Sequence, residues 1–447
     1  MTRSAPLNLN TKYALDGIPW SFVFTAIPDE LPATDDIDAT QDIAAICEST
    51  SSTCLPHLLG LLARLNGDDD TDTGVPPVTC LVVDGFMSFA YDAAKQIGVP
   101  CAALWTFSAC AFLGCRHYRQ LLRRGLAPLQ DEAQLTDGYL DTVVDDGEHG
   151  MCEGVQLRDF PSFIRTTDRD DTNLNFFMRE AERLSLPDGV IFNTYDDLEG
   201  ASLDAMRGIL PPTYAVGPLS LHVRRGIPTG GPLDAVGSNL WKEQDDVLEW
   251  LDDGHPARSV VYVNFGSIAV ITMEQLLQFA WGLAASGYTF LWNVRPNLVK
   301  GGDVATLPPE FLAAVEGRSK VSTWCPQEKV LEHEAVGLFL THSGWNSTLE
   351  SISAGVPMLC WPFFADQQTN CRYARTEWRN GMEIRGEVRS AELAGMIREA
   401  MEGEQGREMS RRASQWKEKA SLATSPGGST VVNLGRLIDE VLLAKKQ

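Results

Sequence analysis

The sequence lacks the features that mark a membrane, secreted or nucleic-acid-binding protein. No apolar run approaches the ~20 residues of a membrane-spanning helix, and residues 1–17 contain no apolar core of signal-peptide length. Basic side chains are scarce, with 37 Lys and Arg against 60 Asp and Glu. The resulting net charge of −23 argues against a nucleic acid or an anionic membrane as partner. We therefore expect no integral membrane association.

Metal ligands and dinucleotide-binding loops are also missing. The ten cysteines form no C-x-x-C pair, and no cluster of cysteine and histidine has the spacing of zinc ligands, so we predict no metal site. Several cysteines lie in apolar runs, where a reduced thiol packs as a small hydrophobic group. This pattern is typical of a reducing compartment and predicts the cytoplasm. No glycine-rich fingerprint follows a strand, which excludes a nicotinamide dehydrogenase.

Short apolar runs alternate with helical patterns along most of the chain. Near-continuous apolar strands separated by helices predict parallel sheets covered on both faces, which is an α/β fold. The predicted strands span residues 21–27, 78–84, 100–105, 189–194, 259–265, 288–294, 320–324, 336–342 and 357–361. One intervening helix is marked by Thr272 and Gln275 as a capping box and by Gly287 as its terminator.

The length of 447 residues suggests two to three domains. Residues 217–239 are dense in glycine and proline and are predicted to be a linker. The linker would separate an N-terminal α/β half, residues 1–216, from a C-terminal half, residues 240–430. Residues 431–447 are predicted to form a terminal helix that packs back on the N-terminal half. Its apolar face would contain Leu434, Leu437, Ile438, Val441 and Leu442.

Two predicted strands of the C-terminal half end in polar turns. Gly266 and Ser267 follow the first strand, and the run "HSGWNST" from His342 follows the second. Ligands of parallel α/β sheets bind at the carboxyl ends of strands, and a helix that begins there offers free N–H groups and a partial positive charge. Gly344 would let the backbone approach a ligand closely. These turns predict a diphosphate site.

Several residues near these turns also have purely structural interpretations. The alternatives are a capping box for Ser347 and Glu350, a helix cap for Asp366 and Gln367, and a place in the core for Trp324 and Trp345. The order and spacing of these residues favour a functional interpretation.

The segment from Trp324 to Gln367 resembles the signature box of the plant secondary-product glycosyltransferases, an inverting family that uses UDP-sugars. Its patterns W-x-P-Q, H-x-G-W-N-S-x-x-E and D-Q fall at the offsets of the family. The resemblance extends from about residue 17 to the C-terminus. It implies a GT-B fold, in which two Rossmann-like domains face each other across a cleft. It also implies UDP-glucose as the donor substrate, a small lipophilic alcohol or phenol as the acceptor, and no cofactor.

The resemblance assigns a role to each residue of the donor site. Trp324 would stack on uracil beside the backbone of Cys325, and Gln327 and Glu350 would bind the ribose hydroxyls. The diphosphate would be held by Ser267, His342, Asn346 and Ser347. His342 would also neutralise the charge that grows on the leaving group. The sugar would be contacted by Thr106, Trp345, Asp366 and Gln367.

Proton removal from the acceptor requires a base. The family uses a histidine in the loop after its first strand, and a carboxylate orients that histidine. Asp84, at the end of a predicted strand, matches the carboxylate. None of His57, His117, His149, His222 and His255 lies in a suitable loop. The resemblance therefore predicts that the chain lacks the histidine, together with one strand–helix–strand unit at its start, and that the N-terminal domain is incomplete.

The function predicted first is UDP-glucose-dependent glucosyl transfer, slowed by about 10²–10⁴-fold because the base is missing. The alternatives are a catalytically inactive UDP-sugar-binding protein and a GT-B-like epimerase or hydrolase. The acceptor would be a flavonoid, a terpenoid, a cyanohydrin or another phenol or alcohol. Its apolar site would draw on Phe86, Met87, Trp105, Phe107 and Phe112, for which the alternative is a place in the core.

Overall fold

The computed structural model describes residues 25–31, 42–67, 76–144, 150–226, 243–244, 246–299 and 307–444. Within these ranges the chain forms two parallel β-sheets, and each sheet is accompanied by helices. All strands of the first sheet precede those of the second in sequence. The predicted α/β fold with parallel sheets is confirmed.

The first sheet has four parallel strands in the order β1-β2-β3-β4. They are β1 (Leu81–Asp84), β2 (Cys101–Trp105), β3 (Gly189–Phe192) and β4 (Thr213–Ala215). The helices of this half are α1 (Ile43–Ser52), α2 (Cys54–Asn66), α3 (Phe89–Ile97), α4 (Ala109–Arg123), α5 (Thr172–Arg183) and α6 (Asp196–Ala205). Asp84 is in register with Leu104, so the carboxyl ends of β1 and β2 share one edge.

The second sheet has six parallel strands in the order β10-β9-β8-β5-β6-β7. They are β5 (Val260–Asn264), β6 (Thr289–Asn293), β7 (Ser319–Ser322), β8 (Val336–Thr341), β9 (Met358–Cys360) and β10 (Gly381–Glu383). The remaining helices are α7 (Leu219–Gly226), α8 (Asp246–Asp252), α9 (Met273–Ser286), α10 (Pro309–Ala314), α11 (Gln327–Glu332), α12 (Trp345–Ala354), α13 (Gln367–Thr376), α14 (Ser390–Glu402), α15 (Glu404–Ala423) and α16 (Ser429–Leu437). Asn264 is in register with Thr341, and Thr341 with Cys360, so the turns after three neighbouring strands lie together.

The strands predicted from residue 78 onward are all confirmed, with ends that shift by a few residues. For the strand predicted at 21–27, residues 21–24 lie outside the described ranges, and residues 25–27 are not in a strand. The prediction missed β4 and β10. Each has only three residues and lies at a sheet edge, so it carries too little apolar sequence to be recognised.

Local signals correctly defined helix α9. The side chain of Thr272 accepts a hydrogen bond from the backbone N–H of Gln275 at 3.1 Å, and the side chain of Gln275 accepts one from the backbone N–H of Thr272 at 2.9 Å. Gly287 ends the helix with a φ of +85°, in the left-handed region that glycine tolerates. Both predicted signals are confirmed.

The end of the chain returns to the first sheet. Helix α16 continues into one π-helical turn, Ile438–Leu442. Its buried side chains Leu437 and Val441 form a cluster with Ala102, Ile191, Tyr214 and Val216. Ile438 is 38% exposed, so the prediction that it belongs to the apolar face of the terminal helix is wrong. The π-helical turn changes the angular spacing on which that prediction depended.

The predicted linker begins with a helix. Residues 219–226 form α7, and residues 227–239 lie outside the described ranges. The boundaries of the predicted domains stay a prediction. In the described part of the chain, no helix combines the length and the apolar character needed to cross a membrane.

Candidate functional site

A cavity of about 450 Å³ opens at the carboxyl edge of the second sheet. Its wall combines the turns after β5 and β8 with the first turns of α11 and α12. The predicted donor-site residues that border this donor cavity are Ser267, Trp324, Cys325, Gln327, His342, Gly344, Trp345, Asn346, Ser347 and Glu350. The tertiary structure thus brings together residues from three separate turns.

Gln327 is the centre of the polar network in the donor cavity. Its Nε2 donates hydrogen bonds to Oγ of Ser347 at 2.9 Å and to Oε2 of Glu350 at 2.7 Å. Its Oε1 accepts from Nδ2 of Asn264 at 2.7 Å and from the hydroxyl of Tyr262 at 3.1 Å. The network orients Glu350, and burial raises the pKa of that carboxyl to about 7.

The capping-box alternative for Ser347 and Glu350 is wrong. Helix α12 begins at Trp345, its N-cap is Gly344, and no side chain caps it. Ser347 therefore lies inside the first turn, where its hydroxyl accepts the hydrogen bond from Gln327. Both side chains are directed to the network that borders the cavity.

The imidazole of His342 lies between the two polar turns. A β-carbon placed on Gly266 would lie 2.6 Å from Nε2 of His342, and one placed on Gly344 would lie 2.5 Å from it. Gly344 is thus required to make room for this ring. Burial, with a smaller contribution from the positive charge of Arg295, lowers the pKa of His342 to about 4. In the ligand-free protein the ring is therefore neutral at pH 7 and can supply an N–H donor. Its neutralisation of charge on the leaving group stays a prediction.

The aromatic residues of the signature segment have different environments. Trp324 is half-buried and borders the donor cavity. The thiol of Cys325 is 3.4 Å from the hydroxyl of Tyr262 and packs in the core, and the residue also borders the donor cavity. For Trp345 the core alternative also holds, because its ring is 3% exposed and its Nε1 donates to the carbonyl of Asn193 at 2.9 Å.

A second cavity, of about 420 Å³, adjoins the first. It is bordered by Asp84 and Thr106 from the first sheet and by Asp366 and Gln367 from the second half. Trp345 and Asn346 border both cavities, so the two spaces meet at the start of α12. We call the second space the acceptor cavity. Every residue predicted for donor binding or for catalysis borders one cavity or the other.

Asp366 and Gln367 do not cap helix α13 with their side chains. Oδ2 of Asp366 accepts from Nδ2 of Asn370 at 2.8 Å, and Oε1 of Gln367 accepts from the backbone N–H of Phe363 at 2.8 Å. Burial raises the pKa of Asp366 to about 7.

Aromatic rings make up much of the acceptor cavity wall. Of the residues predicted there, Phe86, Met87 and Phe107 border the cavity, whereas Trp105 and Phe112 are fully buried in the core. Three further phenylalanines, Phe163, Phe176 and Phe177, border the cavity and were not predicted from the sequence. Phe163 and Phe177 stack with ring centroids 3.7 Å apart. They come from a loop and from α5, where no sequence motif marks them.

Asp84 is the carboxylate at the first-sheet end of the acceptor cavity. Its Oδ1 accepts from the backbone N–H of Phe86 at 2.9 Å. Burial is the main cause that raises its pKa. His57 instead contacts Glu30 at 2.8 Å, and His117 packs against Phe160 inside the core. No histidine of the described ranges borders this cavity, and His149 lies outside those ranges.

Asn264 and Arg224 are among the residues that border the donor cavity and were not predicted from the sequence. Asn264 ends β5 and binds Gln327, and its position before Gly266 is a signal that could have found it. Arg224 belongs to α7, within the predicted linker, and forms ion pairs with Glu332 at 2.6 Å and Glu328 at 3.3 Å. Arg224 could not be predicted from the sequence, because it reaches the cavity only through the packing of α7 against the second half.

Residues 242–419 match a family model described as "UDP-glucoronosyl and UDP-glucosyl transferase". Over 433 residues the chain is 50% identical to the 7-deoxyloganetin glucosyltransferase of Gardenia jasminoides. The aligned region covers 97% of this chain and 88% of the relative. Over 434 residues it is 48% identical to the (R)-mandelonitrile beta-glucosyltransferase of Prunus dulcis, with 97% and 88% covered.

Solved structures share the architecture. A UDP-glucosyltransferase from Polygonum tinctorium capable of glucosylating indoxyl, in complex with 3,4-dichloroaniline, superposes with a TM-score of 0.76 at 30% identity. The match covers 96% of this chain and 88% of that chain. The two-sheet architecture is therefore the GT-B fold of these enzymes.

Proposed function

Because the chain belongs to the UDP-glycosyltransferase family and is a glycosyltransferase of GT-B fold, we propose that it transfers glucose from UDP-glucose to a hydroxyl of a small lipophilic acceptor, with inversion at the anomeric carbon. One observation carries the proposal. A polar cavity with a nucleotide-binding signature meets an apolar cavity at Trp345 and Asn346, and the sugar would lie at that junction.

The donor cavity is proposed to hold UDP. Trp324 would stack on uracil beside the backbone of Cys325, and the ribose hydroxyls would donate to Glu350, which Gln327 orients. Ser267, Asn346, Ser347 and the neutral imidazole of His342 would donate to the diphosphate at the N-terminus of α12. These donors are preorganised where negative charge grows as the C1–O bond breaks.

The glucose is proposed to extend toward Asp366 and Gln367. These side chains border the space beside Trp345, and we propose that they bind sugar hydroxyls there. Thr106 approaches the same space from the first sheet. The acceptor would lie beyond the glucose, between the phenylalanines of the wall.

The acceptor is proposed to be uncharged. The described residues that border its cavity include Asp84 and Asp366 but no Lys, Arg or His. A carboxylate acceptor would be repelled and would find no cation to pair with, whereas a neutral alcohol or phenol would gain from apolar contact. The named activities of the Gardenia and Prunus relatives support such an acceptor.

Asp84 is proposed to take part in removing the acceptor proton. In one step the hydroxyl oxygen would attack C1 on the face opposite the diphosphate, the bond from C1 to the diphosphate would break, and the hydroxyl proton would pass to a base. Two carboxylates of the described ranges border the cavity, and no histidine does. Asp366 is bonded to Asn370 and is assigned to the sugar, which leaves Asp84 for the proton. A raised pKa makes it a stronger base.

The test is a product assay with purified protein, UDP-glucose and a panel of neutral phenols and alcohols, combined with calorimetric titration of UDP. We expect UDP binding and formation of a β-glucoside, identified by the coupling constant of its anomeric proton. An α-glucoside would contradict inversion, and a folded sample that does not bind UDP would refute the donor site. The inactive binding-protein alternative gains no support, because the relatives are named glucosyltransferases.

The proposed compartment is the cytoplasm. All ten cysteines are unpaired, and most are buried, which suits a reducing environment. A fluorescent fusion imaged in plant cells would test it.

A further inference from the structure

Asn370 joins three loops that border the two cavities. It lies on α13 and is completely buried. Its Oδ1 accepts a hydrogen bond from Oγ of Ser108 at 2.7 Å. Its Nδ2 donates to the carbonyl of Ser343 at 2.9 Å and to Oδ2 of Asp366 at 2.8 Å. Both ends of the amide are therefore in use.

Each partner belongs to a different part of the proposed site. Ser108 follows Thr106 in the loop after β2, and it caps α4 by accepting from the backbone N–H of Ala111 at 3.2 Å. Ser343 follows His342 and has a φ of +66°, a left-handed conformation that is costly for serine. Asp366 borders the acceptor cavity. One side chain thus contacts the acceptor loop, the diphosphate turn and the sugar-binding carboxylate.

We propose that Asn370 is a positioning residue that sets the orientation of the Asp366 carboxylate and thereby determines how well the enzyme distinguishes glucose from its epimers. This inference rests on the proposed function, because it assigns the sugar to Asp366. The carboxylate can bind sugar hydroxyls selectively only if its own rotation is restrained. Asn370 restrains Oδ2 of this carboxylate, and the backbone N–H groups of Asp366 and Ser108 also hydrogen-bond to it.

Few other side chains can make these three bonds. A leucine has a similar volume but no polar atom, and an aspartate accepts hydrogen bonds without donating them. An aspartate would also place a second carboxylate beside Asp366, which like-charge repulsion disfavours. The amide orientation is determined by its partners, because only the NH₂ group can donate to Asp366 and to the carbonyl of Ser343.

If Asn370 had only a structural role, its loss would affect folding and not the preference between sugars. In that case Asn370 would hold the two halves together, as its neighbour Thr369 does. Thr369 is also completely buried, and its Oγ1 donates to the carbonyl of Asp159 at 2.7 Å. This bond also crosses between the two halves, but it does not reach Asp366. Thr369→Val is therefore a matched control for the loss of one buried hydrogen bond between the halves.

The experiment compares the full chain with the variants Asn370→Leu, Ser108→Ala and Thr369→Val. Calorimetry gives the dissociation constants of UDP, UDP-glucose and UDP-galactose without acceptor, so the readout does not require turnover. We expect wild type to prefer UDP-glucose over UDP-galactose, and Asn370→Leu to reduce that preference about tenfold while UDP affinity changes less than about threefold. Ser108→Ala should reduce it by a smaller factor, and Thr369→Val should leave it unchanged.

Three results would overturn the inference. They are a wild type without preference between the two sugars, an Asn370→Leu protein that retains the full preference, and a Thr369→Val protein that loses it equally. If Asn370→Leu does not fold, Ser108→Ala decides, because it removes the bond that holds the other end of the amide. A Ser108→Ala protein that retains the full preference would then overturn the inference. Failure of the proposed function would look different, as an absence of UDP binding by wild type or an absence of product.

Discussion

Nε2 of Gln327 donates a hydrogen bond of 2.7 Å to Oε2 of Glu350 and so joins the first turn of α11 to α12. The two residues belong to different motifs of the signature segment and lie on separate helices. Their contact presents one carboxylate to the donor cavity in a defined orientation. Loss of that carboxylate should weaken the binding of the ribose.

Replacement of Glu350 by alanine should weaken UDP binding by about 10- to 100-fold, because a charged hydrogen-bond acceptor is lost. The proposed contact between Glu350 and the ribose can be tested with 2′-deoxy-UDP, which lacks one ribose hydroxyl. Wild type should bind it less tightly than UDP, and Glu350→Ala should bind the two alike. The surface variant Glu404→Ala is the control, since Glu404 lies at the start of α15 and does not border the cavity. Equal discrimination in wild type and Glu350→Ala would contradict the ribose assignment.

Gly344→Ala should impair UDP binding and stability, because the new β-carbon would lie 2.5 Å from Nε2 of His342. The φ of Gly344 is −59°, a value that alanine adopts freely, so any loss comes from the contact and not from the backbone. We expect a loss of about 1–3 kcal/mol in the free energy of unfolding. Gly395→Ala is the matched control, since a β-carbon there meets nothing within 4 Å. Thermal melts and UDP titration of both variants check the prediction.

Arg224→Gln should lower UDP affinity several-fold. Arg224 is paired with Glu328 and Glu332 at the border of the donor cavity, and its removal would leave those carboxylates uncompensated where an anionic ligand binds. The effect should shrink at high salt. Arg225→Gln is the control, because Arg225 instead contacts Ser421 of α15 and Thr424, the residue that follows this helix. Equal effects of both substitutions would refute the specific role of Arg224.

Asp84→Asn should lower kcat by about 10²–10⁴-fold and leave UDP affinity unchanged, since the amide cannot accept the proton. Added imidazole should accelerate wild type, because no histidine of the described ranges borders the acceptor cavity. The control Asp92→Asn removes an exposed carboxylate that pairs with Arg183 outside that cavity. An unaltered kcat in Asp84→Asn would place proton removal elsewhere.

The stability of the ligand-free protein should depend on the two buried carboxyls of the site. Burial raises the pKa values of Glu350 and Asp366 to about 7, from their usual values of 4.5 and 3.8. Their protonated forms stabilise the folded state below the usual values, and this contribution is lost as the pH rises to about 7. The double variant Glu350→Gln with Asp366→Asn should therefore lose less stability than wild type between pH 5 and 8.

The depressed pKa of His342 acts in the opposite direction, because its neutral form stabilises the folded state above pH 6.5 and this contribution is lost as the pH falls to about 4. The comparison cancels its effect, since both proteins contain His342. Chemical denaturation at several pH values measures the difference, and parallel curves would contradict the prediction.

The sequence by itself determined the parallel α/β fold and most of the residues that border the donor cavity. Strands such as β5 and β8 are continuous apolar runs, and the residues of the signature segment follow strand ends at fixed short spacings. Such signals depend only on residues that are close in the chain, so they can be recognised in the sequence alone. The capping box of helix α9 is another local signal, because Thr272 and Gln275 are only three residues apart.

The tertiary structure decided what depends on burial and on distant contacts. His342 is neutral because of what surrounds it, Trp105 and Phe112 are core residues whereas Phe163 and Phe177 form the cavity wall, and Ile438 is exposed by a π-helical turn. Ser108 and Asn370 are 262 positions apart in the chain, and yet one hydrogen bond joins them. No local pattern encodes such a pair, because it exists only once the two halves pack together.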